Sequence, residues 1–138
     1  MQAKHYLNKN WRLQCLYDAK TEQLKNLREL LTSSPSPMAP NDKIQSSQNL
    51  HRQEDKICEI VDLEAQLQKD LKDIIAFKLE LTKKINELSN IEHKLILNLR
   101  YLNFMSWEQI ACEMNISFRW AMSLHKKALI EFEEMHFK

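Results

Sequence analysis

The chain has 138 residues, room for one or two small domains, and its 43% hydrophobic content with charges of both signs is that of a folded chain. It contains no glycine, which excludes glycine-built phosphate loops, dinucleotide fingerprints and nucleophile elbows, and its net charge of +1 implies that any grip on nucleic acid is helped by a partner or by pairing. No signal peptide or bilayer-length apolar run stands out, and Cys15, Cys58 and Cys112 are odd in number and far apart; the expectation is a cytoplasmic chain with no membrane association, disulfide framework or zinc site.

Residues 3–31 place Tyr6, Leu13, Tyr17, Leu24, Leu27 and Leu31 in a near-heptad row, interrupted at Asn10 and Lys20. The spacing predicts one amphipathic helix. Six basic and three acidic residues give it a charge of +3. Trp11 and Cys15 lie off the row and are expected to pack against a partner helix. From Thr32 to Asn49 the pattern stops; all three prolines, Pro35, Pro37 and Pro40, fall here among serines. Such a stretch cannot continue a helix and predicts a surface loop or flexible linker over 32–49, unless it is ordered against the helices.

The next helix is predicted from Leu50 to Leu88. Ile57, Ile60, Leu67, Leu71, Ile74, Leu81, Ile85 and Leu88 alternate in steps of three and four, with Glu64 and Lys78 filling two seam positions. Val61, Ile75 and Leu79 widen the apolar surface to a second flank. The simplest arrangement folds the first helix back on the second as an antiparallel hairpin, and two hairpins can pair into a four-helix bundle. Leu67, Leu71, Ile74, Leu81 and Ile85 are the residues expected at the dimer or partner interface.

Ser89 and Glu92 form a capping-box pattern before a helix over 91–102, with Leu95, Ile96, Leu99 and Leu102 inward. Ser106 with Gln109 repeats the pattern and starts a helix whose buried side carries Trp107, Ile110, Ala111 and Met114. A tight turn is expected at Asn115, the best left-handed residue a glycine-free chain can offer. Ser117 then caps a last helix that Ile116, Ala121 and Leu124 lock onto its neighbour. That is the pattern of a helix-turn-helix, although a plain helical pair in a small core has the same periodicity. The expected class is all-α, with an arm over 1–88 and a helix-turn-helix domain over 89–138.

The run from Leu88 to Phe132 carries Leu-Arg-Tyr-Leu at 99–102, Ser-Trp-Glu-Gln-Ile-Ala from 106, Asn-Ile-Ser at the turn and Leu-His-Lys-Lys-Ala-Leu near its end. It resembles region four of the bacterial sigma factors. With the helical N-terminal half and Gln45-Ser46-Ser47, the whole chain resembles small phage and prophage proteins of Gram-positive bacteria. Relatives of these, the ArpU- and RinA-like proteins, are regarded as activators of late phage genes. The resemblance implies double-stranded DNA as a partner and contact with host RNA polymerase.

For DNA, Arg119 is the residue expected to read a base, by bidentate pairing with guanine. Phe118, Trp120, Met122 and Ser123 would share the groove with it, Ser117 would stand at the helix start, and Lys126, Lys127, Arg100 and Ser106 would take phosphates. Phe118, Trp120 and Met122 form an unusually apolar reading face, and Glu131, Glu133 and Glu134 oppose phosphate. A module gripping polymerase or another protein is therefore the alternative. No catalytic residues, cofactor or metal ligands are expected: the five histidines are scattered, and Cys112 with His125 is too small a donor set.

Overall fold

A computed structural model describes residues 1–32 and 46–138, and it is helical throughout, with no strand among the described residues. The helices are α1 (Gln2–Thr32), α2 (Ser46–Asn86), α3 (Ile91–Leu97), α4 (Trp107–Met114) and α5 (Phe118–His136), with a π-helical segment, Asn98–Leu102, following α3. α2 thus begins four residues before the expected Leu50. The three prolines and most of the expected linker over 32–49 lie outside the described residues. No described helix is long and apolar enough to cross a membrane.

The chain divides into two compact units. One comprises Leu16–Lys72; the other combines Met1–Cys15 with Asp73–Lys138. The C-terminal unit is therefore larger than the 89–138 expected from sequence, because it draws in the start of α1 and the end of α2. About 48 residues would have been too few to bury a core unaided.

In the Leu16–Lys72 unit, Leu24 of α1 packs with Ile60 and Leu67 of α2, flanked by Tyr17, Leu27, Leu31 and Leu63. Lys20 donates to Asp70 at 2.8 Å, and Arg28 pairs with Glu64. Rising numbers on α1 meet falling numbers on α2, so the two segments run antiparallel. Lys20, a gap in the apolar row, is filled by this ion pair.

The larger unit has a continuous core. Ala3 and Leu7 of α1, Phe77, Leu81 and Ile85 of α2, Ile96 and Leu97 of α3, Ile110 of α4 and Ala121, Leu124, Ala128 and Phe132 of α5 are all buried together. Asn10, the other gap in the α1 row, is buried and donates through Nδ2 to the carbonyl of Tyr101 at 3.0 Å. That bond satisfies a carbonyl inside the π-helical segment, where backbone pairing is irregular.

Several expectations are corrected. Leu67, Leu81 and Ile85 are buried in the cores of their own protomer and Ile74 is 3% exposed, so they are not free for a dimer interface; of the five, only Leu71, 39% exposed, stays outside. Trp11 is 53% exposed and Cys15 is exposed, so neither packs on a partner helix within the chain. Asn90, not Ser89, caps α3, accepting from Glu92 N at 2.8 Å. Leu95 is exposed while Leu97 and Tyr101 are buried. The π-helical turn widens the winding over 98–102, where Leu99 and Tyr101 are the buried residues.

Candidate nucleic-acid interface

The C-terminal helix pair is built from its caps. Ser106 Oγ accepts from Gln109 N at 3.2 Å while Gln109 Oε1 accepts from Ser106 N at 3.0 Å, a reciprocal capping box that starts α4. Asn115 ends α4 in the left-handed region, φ 56° and ψ 47°, and Ile116 N donates back to Ala111 O at 2.9 Å. With no glycine available, asparagine is the residue that tolerates this conformation at least cost. Ser117 Oγ then accepts from Trp120 N at 3.0 Å and starts α5.

The apolar row of α5 is Ala121, Leu124, His125, Ala128, Leu129 and Phe132, all buried. Its placement turns the opposite side outward. Phe118 (51% exposed), Arg119, Trp120 (48% exposed), Lys126 and Lys127 are exposed, and Met122 and Ser123 are half-buried. The Lys127 ammonium stands 5.6 Å from the Trp120 ring centre. Among the described residues, none of Arg119, Lys126 or Lys127 has a carboxylate within ion-pairing distance.

Arg100 is half-buried rather than free. It donates to Met105 O at 2.8 Å, and its guanidinium lies 4.8 Å from the Trp107 ring centre, so it braces the start of α4. The Ser106 and Ser117 hydroxyl oxygens are used as cap acceptors, which leaves each O–H able to donate outward. Two of the three C-terminal glutamates also have structural partners. Glu133 accepts from Ala3 N at 2.7 Å; Glu131 accepts from Ser89 N and Oγ at 2.8 and 2.7 Å and pairs with His93. Burial works against the Glu131 charge, but the bonds from His93 and Ser89 outweigh it and hold its carboxyl down to about 2.

Sequence reasoning missed one pair. His125 Nε2 and the Tyr101 hydroxyl share a hydrogen bond at 2.6 Å inside the core, with Trp107 edge-on to the imidazole at 4.5 Å between ring centres. Burial, then the positive charges of Lys4 and Arg100, push His125 down to about 4, and burial raises Tyr101 to about 12. The imidazole is therefore neutral at pH 7, held by the Tyr101 hydroxyl. Its place four residues after Ala121 on the inner row of α5 was the signal that could have shown it.

These features define an all-α chain whose last helix presents cations and aromatic rings from a firmly capped turn. A family model described as "Protein of unknown function (DUF1492)" matches residues 31–133, about three-quarters of the chain, and the protein belongs to that family. Neither the curated proteins nor the solved structures gave a match.

Proposed function

We propose that this protein is a phage-encoded, sequence-specific DNA-binding regulator of transcription, an activator of phage genes acting in the host cytoplasm and contacting host RNA polymerase. In this reading α1 and α2 form an antiparallel, coiled-coil-like arm, and the segment from Ser89 onward is a sigma region-four-like helix-turn-helix that lays α5 in the major groove. The observation that carries it is the outer side of α5, where Arg119, Lys126 and Lys127 are exposed beyond a left-handed Asn115 turn, without carboxylate partners among the described residues.

Gel-shift titration against the DNA flanking its own gene, at two salt concentrations, tests this. Arg119→Ala is expected to weaken binding to the selected site by about ten- to a hundredfold and binding to random DNA far less. Lys127→Ala is expected to weaken both alike and to lower the salt slope by about 1. Equal loss on both sequences for Arg119→Ala removes it from base reading.

The regulator acts as a homodimer in this proposal, with the interface moved to the flank of α2 that carries exposed Ile57, Val61 and Leu71. Sedimentation at two concentrations checks it: Val61→Asp should favour the monomer, and a wild-type monomer at tens of micromolar contradicts pairing. A second reading, a module that binds polymerase or another protein instead of DNA, is favoured by the exposure of Phe118 and Trp120. Absence of any shift, with a stoichiometric complex on purified RNA polymerase, would select it.

A further inference from the structure

Trp11 was expected to be packed away and is instead at the rim of a cleft. Within the larger unit, Asn8, Trp11 and Arg12 of α1 face Arg100, Tyr101 and Phe104 across a cavity of about 360 Å³. Arg100 is shared with a smaller neighbouring cavity of about 210 Å³ that also meets Lys4 and Lys126. Among the described residues, no carboxylate lines either one.

Both guanidiniums of the larger cavity are held in place without being neutralised. Arg12 donates to His5 O at 3.1 Å and Arg100 to Met105 O at 2.8 Å. Neither has a carboxylate within ion-pairing distance among the described residues, and the Asn8 amide has no hydrogen-bond partner there. Carbonyls anchor these groups while leaving further N–H donors and the full positive charge for an anion. Phe104 adds a third sign, because an aromatic residue at φ 58° is uncommon and such positions cluster at ligand sites. Trp11 and Phe104 supply ring surface, whereas the Tyr101 hydroxyl is already committed to His125.

We propose that this cleft binds a nucleoside phosphate, its base on the Trp11 and Phe104 rings and its phosphate on Arg12 and Arg100, supplied either as a free nucleotide or as an unpaired nucleotide of a strand. The volume falls in the range of small-ligand sites, about 300–1,000 Å³. Aromatic faces beside cations are how bases are held without reading of sequence. A duplex backbone would use the exposed cationic side of α5 and would leave the rings of the cleft idle. The site does not depend on α5 reading DNA: a failed duplex shift leaves it standing.

Calorimetric titration of the full chain tests it, with the four ribonucleoside triphosphates, a short single-stranded oligonucleotide and inorganic pyrophosphate as separate probes. Saturable binding of at least one nucleotide or of the oligonucleotide is expected, with pyrophosphate about tenfold weaker or worse. Preference for the free nucleotides or for the strand identifies the source. Trp11→Ala and Arg12→Gln, both at exposed positions, should each weaken binding by about tenfold while leaving the circular-dichroism melt unchanged. No binding of any nucleotide or oligonucleotide, equal affinity for pyrophosphate, or indifference to both substitutions would overturn the assignment.

Discussion

The two compact units use the same pair of long helices in opposite ways. In the unit of Met1–Cys15 and Asp73–Lys138, sixteen buried residues from five helices and the π-helical segment form one core. In Leu16–Lys72, the buried cluster among the described residues is Leu24, Ile60 and Leu67, and Leu16, Leu30, Ile57, Val61 and Leu71 are exposed. Two antiparallel helices can cover only one stripe of each other, whereas helices arriving from several directions can enclose a side chain completely. The enclosed core therefore gathers in the first unit, while both units keep large apolar side chains exposed, Phe118 and Trp120 in the first and Val61 and Leu71 in the second.

The comparison is tested most strongly by paired core truncations. Phe132→Ala in the larger unit should cost about 3–5 kcal/mol, against about 2–3 for Leu67→Ala in the smaller, by urea unfolding. Equal costs would mean the smaller unit is as tightly packed as the larger. Hydrogen exchange adds the same contrast without mutation, with faster exchange expected over 16–32 and 50–72 than in α5.

Next in size is an acid sensitivity specific to the larger unit. His125 takes up a proton near 6.5 in the unfolded chain but only near 4 in the fold. The unfolded state thus binds more protons between those values. Its contribution is fully present above pH 6.5 and drains as pH falls toward 4, by up to about 3 kcal/mol. Thermal melts from pH 7.5 to pH 4 should follow that loss, and His125→Phe should flatten it even though it orphans the Tyr101 hydroxyl. An unchanged slope in the variant would place the sensitivity elsewhere. Glu131, held down to about 2, acts at the far acid end: its contribution is present above about 4.5 and lost as pH falls toward 2.

The smallest effect concerns the turn between α4 and α5. Asn115→Gly should change stability by a few tenths of a kcal/mol, and Asn115→Val should cost about 1–2, since a β-branched residue resists φ near 56°. Matching melts for the two variants would show that the left-handed turn is not needed.

Much of the helix-terminal chemistry was legible in the sequence. The Ser106–Gln109 box, the Asn115 turn and the Ser117 cap are local, decided by residues within four positions of one another. So was the outward side of α5, because Ala121 and Leu124 mark its inner row. Other features depended on distant chain. Whether Leu81 and Ile85 met a second copy or their own α1 could not be read from a periodicity that serves both. Asn10 and Lys20 looked like flaws in an apolar row until Tyr101 and Asp70 supplied their partners. Trp11 was assigned to packing because exposure is invisible to spacing.

What the chain's order of residues determined was where helices start, stop and turn, since capping bonds and left-handed backbone are contests between neighbours. What only the folded chain decided was which apolar rows were covered, which polar groups were matched and where a cationic, ring-lined hollow opened. Those outcomes depend on surfaces brought together across as many as 130 positions, as in the bond from Ala3 N to Glu133, and no local rule ranks such encounters in advance.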